Sequence, residues 1–245
     1  MTGGSRHASD TGSRAHESLY PFLYSGRTDL TAVLEEARRS TVAKAAEIME
    51  LRRAISARDG ARLRAAARDA AERFAAGGRL LVFGNGGSAT DAQQLATTFL
   101  NPGGPVPGGT APGGTAPGGA VRPLPALCLA SDTSVVTALA NDVGVEVMFA
   151  RQIAAFGRRT DIAVGMSTSG NSENLLRAFD EASRRGLLTV GIAGYEGGKM
   201  AELDSLDYLF VAPSSSVHRI QEAQTTIYHV WWELTLAELG RQEES

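Results

Sequence analysis

Leu80-Leu81-Val82-Phe83-Gly84-Asn85-Gly86-Gly87-Ser88-Ala89-Thr90-Asp91 is the stretch whose reading decides the fold. Four apolar residues bounded by glycine read as a strand buried on both faces. Gly84, Gly86 and Gly87 form a turn with little room for side chains, and Ser88 is expected to cap the helix that follows. Such glycines let backbone N–H groups face outward at a helix N-terminus, where the partial positive charge favours an anion. That is the outline of a phosphate cradle. An ordinary strand–turn–helix corner reads the same way. The turn lacks the Gly-Lys-Ser/Thr of a P-loop and the full glycine spacing of a dinucleotide site.

A second stretch repeats the grammar. Asp161-Ile162-Ala163-Val164-Gly165-Met166-Ser167-Thr168-Ser169-Gly170-Asn171-Ser172 runs from an apolar strand into a small polar loop, with a helix expected near Glu173. Capping accounts for one or two hydroxyls. Ser167, Thr168, Ser169 and Ser172 are four, enough with loop amides to surround the phosphate of a sugar that must enter and leave.

The bulk properties bound the rest. The chain has 245 residues, 43% hydrophobic and 21% charged, in the range of one α/β domain with decorations. A formal net charge of −3 gives no reason to expect nucleic acid or an anionic membrane as partner. The single cysteine, Cys128, sits in an apolar run and reads as a small core residue. One cysteine excludes an intrachain disulfide framework and fits a reducing compartment. No stretch reaches transmembrane length and no signal-peptide pattern opens the chain, so a soluble, cytoplasmic protein is expected.

In chain order, residues 1–27 read as a disordered tail. Residues 28–78 read as N-terminal helices, capped at Thr31, with a second, Ala/Arg-rich helix over 61–76. Their amphipathic pattern calls for a partner subunit. Residues 79–240 read as the main domain. Within it, residues 102–122 carry a five-residue Pro/Gly repeat in four copies, expected to be a flexible surface loop. Further strands are expected over 125–129, 161–165, 187–193 and 208–211, with helices between them and a last helix over 216–239. Asn141-Asp142 is expected to break the helix that follows the second strand. Alternating strands and helices predict a doubly wound, parallel, five-stranded α/β sheet. Ligands of such sheets bind outside the carboxyl ends of the strands, where both loops fall.

The two loops, with Ala140-Asn141-Asp142, Gly194 through Met200 and Arg219-Ile220-Gln221-Glu222, resemble the SIS (sugar isomerase) domain and, within it, the phosphoheptose isomerase group. The resemblance runs from about Asp29 to the C-terminal helix. It implies a flavodoxin-like sheet and a homotetramer whose N-terminal helices form a central bundle. It also implies isomerisation of sedoheptulose 7-phosphate to D-glycero-D-manno-heptose 7-phosphate through an enediol. On this resemblance Ser167, Thr168, Ser169 and Ser172 hold the phosphate. Asn85, Gly86, Gly87, Ser88, Asn141, Asp142 and Gln221 contact the sugar. His229 falls on the family's catalytic histidine, and Gln221 with His229 on two ligands of a zinc site found in several members.

Two positions depart from the family pattern. On the helix after the first loop the family places a histidine zinc ligand and, four residues later, a glutamate base; here these are Gln94 and Thr98. Threonine does not titrate near neutral pH, and Gln is a poor zinc ligand. Glu222 and Asp142 are carboxylates that stand elsewhere in the motifs. Three readings follow: an isomerase with a rearranged acid–base pair, a non-catalytic sugar-phosphate sensor or adaptor of the replication-initiator-binding type, or a partner subunit for an active paralogue.

Overall fold

The structure is a computed structural model that describes residues 30–101 and 123–243. The expected tail at 1–27 and the Pro/Gly repeat at 102–122 lie outside the described residues. Helix α1 spans Leu30–Ala75 without the break expected before Ala61. Thr31 is itself helical and does not stand before α1 as a cap. Gly60 in the helix interior costs about 0.5–1 kcal/mol relative to alanine. Ile55 and Leu63 on either side of it are buried, each contributing about 1.5–3 kcal/mol. Packing therefore outweighs propensity, and the helix continues.

The chain divides into two units, residues 1–47 and 48–245. In the first, the described part of α1 exposes Leu30, Val33, Leu34 and Val42, with Leu30 69% and Leu34 63% accessible. In the second, Ala66, Ala67, Ala70 and Ala71 of α1 are fully buried. Their small side chains leave the helix close to its neighbours.

The second unit continues with β1 (Leu80–Gly84), α2 (Gly87–Leu100), β2 (Ala126–Cys128), α3 (Thr133–Asp142), a 3₁₀ turn (Val145–Val147) and α4 (Met148–Phe156). Then come β3 (Ile162–Ser167), α5 (Glu173–Arg184), β4 (Leu188–Gly194), a 3₁₀ turn (Gly198–Glu202), β5 (Tyr208–Ala212) and α6 (Val217–Glu243). The helix expected to break at Asn141-Asp142 ends there, with Asp142 its last residue, and helical structure resumes at Met148. Asp132 starts that helix, its Oδ1 accepting from the amides of Ser134 and Val135.

The five strands form one parallel sheet in the order β2-β1-β3-β4-β5. Alternate residues of each strand feed two cores. Leu80, Val82, Ile162, Val164 and Ile192 face α1, α2 and α6. Leu81, Phe83 and Ala163 face α4 and α5. Cys128 is a buried free thiol in the first core, as its apolar setting predicts. From β1 the chain steps outward to β2 and then crosses back to β3, so the winding reverses between β1 and β3. Their pairing aligns Gly84 with Met166. The two Gly- and Ser-rich loops thus leave adjacent strand ends at the switch point, where such folds bind ligands.

Candidate active site

The first loop turns from β1 into α2 through Gly86, in the left-handed region at φ 54°. Helix α2 opens at Gly87, so Ser88 sits buried inside its first turn and gives no capping hydrogen bond. The glycine turn, and not a hydroxyl, makes this helix start. Asn85, Gly86 and Gly87 are exposed; the Ser88 amide donates to the Asn85 carbonyl and those of Ala89 and Thr90 to the Gly86 carbonyl, so of the opening amides of α2 that of Gly87 is left for a ligand. A Cβ on Gly87 would lie 2.2 Å from Gln221 Nε2. The missing side chain is therefore what lets α6 lay Gln221 against the start of α2.

The second loop is organised by its own hydroxyls. Ser167 Oγ accepts from the Gly170 amide at 3.0 Å and lies 3.2 Å from Ser172 Oγ. Ser169 Oγ accepts from the Asn171 amide at 3.2 Å. The Asn171 side chain accepts from the Lys199 amide at 2.9 Å, which ties the loop to the 3₁₀ turn after β4. Thr168, Ser169 and Ser172 are half-buried around the N-terminus of α5. Ser172 precedes that helix without capping it, since its hydroxyl is turned to Ser167.

Two residues absent from the sequence reading connect these parts. Asn174 exchanges a reciprocal pair of amide hydrogen bonds with Asn85, both 2.9 Å, and so fastens the first loop to the helix that follows the second. Gln224 of α6, fully buried, donates to the carbonyls of Ser167 at 3.2 Å and Ile192 at 3.3 Å. Asn174→Ala is expected to cost about 0.5–1.5 kcal/mol, because it removes the paired amide hydrogen bonds while the freed Asn85 amide is exposed to water. A urea midpoint shift accompanied by weaker sugar-phosphate binding would bear that out. Unchanged binding would show that the clasp does not shape the loop.

On α6, His229 is half-buried with its ring 4.7 Å from that of Tyr228. Its Nε2 is buried and has no hydrogen-bond partner. Burial holds the imidazole pKa below its ordinary value, so the ring is neutral near pH 7. Asn141 and Asp142 stand apart: both are exposed, the Asn141 amide donates to Asp142 at 2.8 Å, and neither hydrogen-bonds to either loop. Glu222 is ion-paired with Arg219 on the same helix, so it is not a free base.

Thr98 and Gln94 take no part in a metal site. The Thr98 hydroxyl donates to the Gln94 carbonyl one turn back at 2.9 Å. Zinc in proteins is held by Cys, His and carboxylate groups. His229 and Gln221 supply one such donor between them, and among the described residues no three His, Cys, Asp or Glu side chains converge. This donor set does not fit a zinc ion.

A parallel sheet whose two anion-suited loops meet at the switch point, beside a helix bearing an imidazole with an unpartnered Nε2, defines an α/β protein with an anion-suited cleft. A family model described as SIS domain matches residues 29–104. A phosphoheptose isomerase of Desulfovibrio desulfuricans is 44% identical over 192 residues, 73% of this chain and 83% of that protein. One of Pelodictyon phaeoclathratiforme is 39% identical over 216 residues, 88% of this chain and 94% of the relative. The structure of a phosphoheptose isomerase from Neisseria gonorrhoeae superposes with a TM-score of 0.67 at 30% identity, covering 80% of this chain and 97% of that one. The chain belongs to the phosphoheptose isomerase family of SIS-domain proteins.

Proposed function

We propose that this protein is an aldose–ketose isomerase acting on a heptose phosphate, converting sedoheptulose 7-phosphate to D-glycero-D-manno-heptose 7-phosphate. The carrying observation is the convergence of the two loops at the switch point, clasped by Asn85–Asn174, beneath a helix with a buried, unpartnered His229 Nε2. Thr168, Ser169 and Ser172, with the Gly87 amide and those at the start of α5, hold the phosphate by hydrogen bonds and helix dipoles without a fixed cation. Asn85 and Gln221 border the sugar. His229, neutral and able both to give and to accept a proton, carries the proton between the oxygens of neighbouring carbons.

The exposed apolar stripe of α1, Leu30, Val33, Leu34 and Val42, supports a homo-oligomer, which we take as the family's tetramer. Light scattering that gives a monomer at micromolar concentration would sink this part. Among the described residues no helix is long and apolar enough to cross a membrane, which accords with a cytoplasmic location.

The test is incubation with sedoheptulose 7-phosphate in D₂O, followed by NMR, with EDTA and with added zinc. Aldose product and deuterium at the reacting carbon, unchanged by EDTA, are expected. Saturable sugar-phosphate binding with no exchange in any condition would instead make the protein a sensor or adaptor.

A further inference from the structure

Isomerisation needs a group that lifts a proton from carbon, and the position the family gives to that base is Thr98 here. Most described carboxylates around the loops are engaged with a partner, and Glu196 in the turn after β4 is exposed to solvent. Glu222 pairs with Arg219, Glu173 with Arg177, Asp142 with the Asn141 amide, and Asp132 caps α3. Asp91 is the exception. It is half-buried on α2, with Oδ2 buried and without a partner. It is also the sole titratable side chain of α2.

Helix geometry places Asp91 on the face of α2 that carries Thr98. Seven residues at 100° each bring the two within about 20° around the axis. Asp91 lies four residues past Gly87, about 6 Å along the axis, hence one turn from the phosphate-binding end. Helix α2 packs on β1, β2, β3 and α6, and its last turn meets α1 through the Phe74–Phe99 ring pair. The strands bring no titratable group other than Cys128. From α6 comes Tyr228, with His229 beside it. Tyr228 is raised to about 12, first by burial and to a smaller degree by the charge of Asp91. Burial alone raises Asp91 to about 6, near the pH at which a general base works best.

We infer that Asp91 is the general base of this chain, acting on the substrate carbons in place of the glutamate that Thr98 replaces. The inference rests on the isomerase reading above. The Asp91 carboxylate takes the proton from C1 of the ketose. The C1–H electron pair forms the C1=C2 bond, and the C2 carbonyl oxygen takes a proton from His229. The enediol then collapses: the C1 hydroxyl gives its proton back to His229, C1=O forms, and C2 receives the proton from the Asp91 carboxyl. Substrate and product are isomers, and both residues end as they began.

Asp91→Asn keeps the shape and removes the base. The expected result is deuterium exchange slowed by about 10²- to 10⁴-fold with sugar-phosphate affinity within about threefold of the parent. Asp91→Glu is expected to recover part of the rate. The parent's kcat/KM is expected to fall as pH drops below about 6, and Asp91→Asn to lose that limb. Its melting temperature gives a second readout. A carboxyl whose folded pKa is raised weakens the fold as it ionises, so the variant should gain over the parent as pH rises from about 4 to 6 and hold that gain above. Exchange in Asp91→Asn within tenfold of the parent overturns the assignment and leaves the isomerase reading standing. A parent protein that binds the sugar phosphate without exchange overturns both.

Discussion

His229→Ala is expected to slow aldose–ketose interconversion by about 10²- to 10⁴-fold while leaving sugar-phosphate affinity close to that of the parent. The separation follows from where the imidazole stands. The hydroxyls suited to phosphate are on the loop after β3, whereas His229 lies eight residues along α6 from Gln221, about 12 Å of helix. Its Nε2 is buried without a partner, an arrangement that costs stability unless a ligand completes it. Burial lowers its pKa, and the sign of the consequence is fixed. The unfolded chain binds the proton more readily, so the parent loses stability relative to His229→Ala as pH falls below the ordinary histidine value of about 6.5. Parallel melts at pH 5 and pH 8 read this directly. Equal melting differences at both values would mean that the ring is solvated and not poised. A variant that retains exchange would remove His229 from the chemistry altogether.

The sheet was legible because buried parallel strands write themselves as short apolar runs closed by small residues. Leu80–Phe83 and Leu187–Ala193 fall within a residue of β1 and β4, and the order of strands and loops sufficed for the parallel topology. Elements governed by tertiary packing were less legible. Gly60 looks like a stop, yet α1 passes through it because Ile55 and Leu63 are buried on both sides. Ser88 has the right chemistry for a cap, but a glycine turn already starts α2, and the hydroxyl is carried inside. The site was legible as two loops and opaque as a machine. Asn85 and Asn174 are 89 positions apart, and Gln224 is 57 from Ser167. Local periodicity encodes nothing at such separations. Asp91 was in plain view in the first motif. A carboxylate one turn into a helix reads as a solvated partner of the dipole, and only the packing of α6 over it reveals the unpaired, desolvated oxygen.

Gly170→Ala is expected to cost about 2–4 kcal/mol of stability and to weaken sugar-phosphate binding by more than about tenfold, from the sum of two backbone effects. Gly170 lies in the left-handed region at φ 67°, where an L side chain is disfavoured by about 1–2 kcal/mol. A Cβ there would also stand 1.9 Å from the Gly197 carbonyl oxygen and 2.5 Å from its carbon. Neither atom belongs to a side chain that can rotate away. The Met200 amide, moreover, donates to the Gly170 carbonyl at 3.0 Å and holds the two segments together. Relief therefore requires the loop and the turn after β4 to separate, carrying Ser169 and Ser172 away from the start of α5. Gly87→Ala is the instructive contrast. Its new Cβ would meet the Nε2 end of the Gln221 side chain, which can swing aside, so the fold should hold while the contact of Gln221 with the start of α2 is lost. Denaturant titration and calorimetric binding of both variants separate the cases. A Gly170→Ala protein with parental affinity would mean that the phosphate is held somewhere other than on this loop.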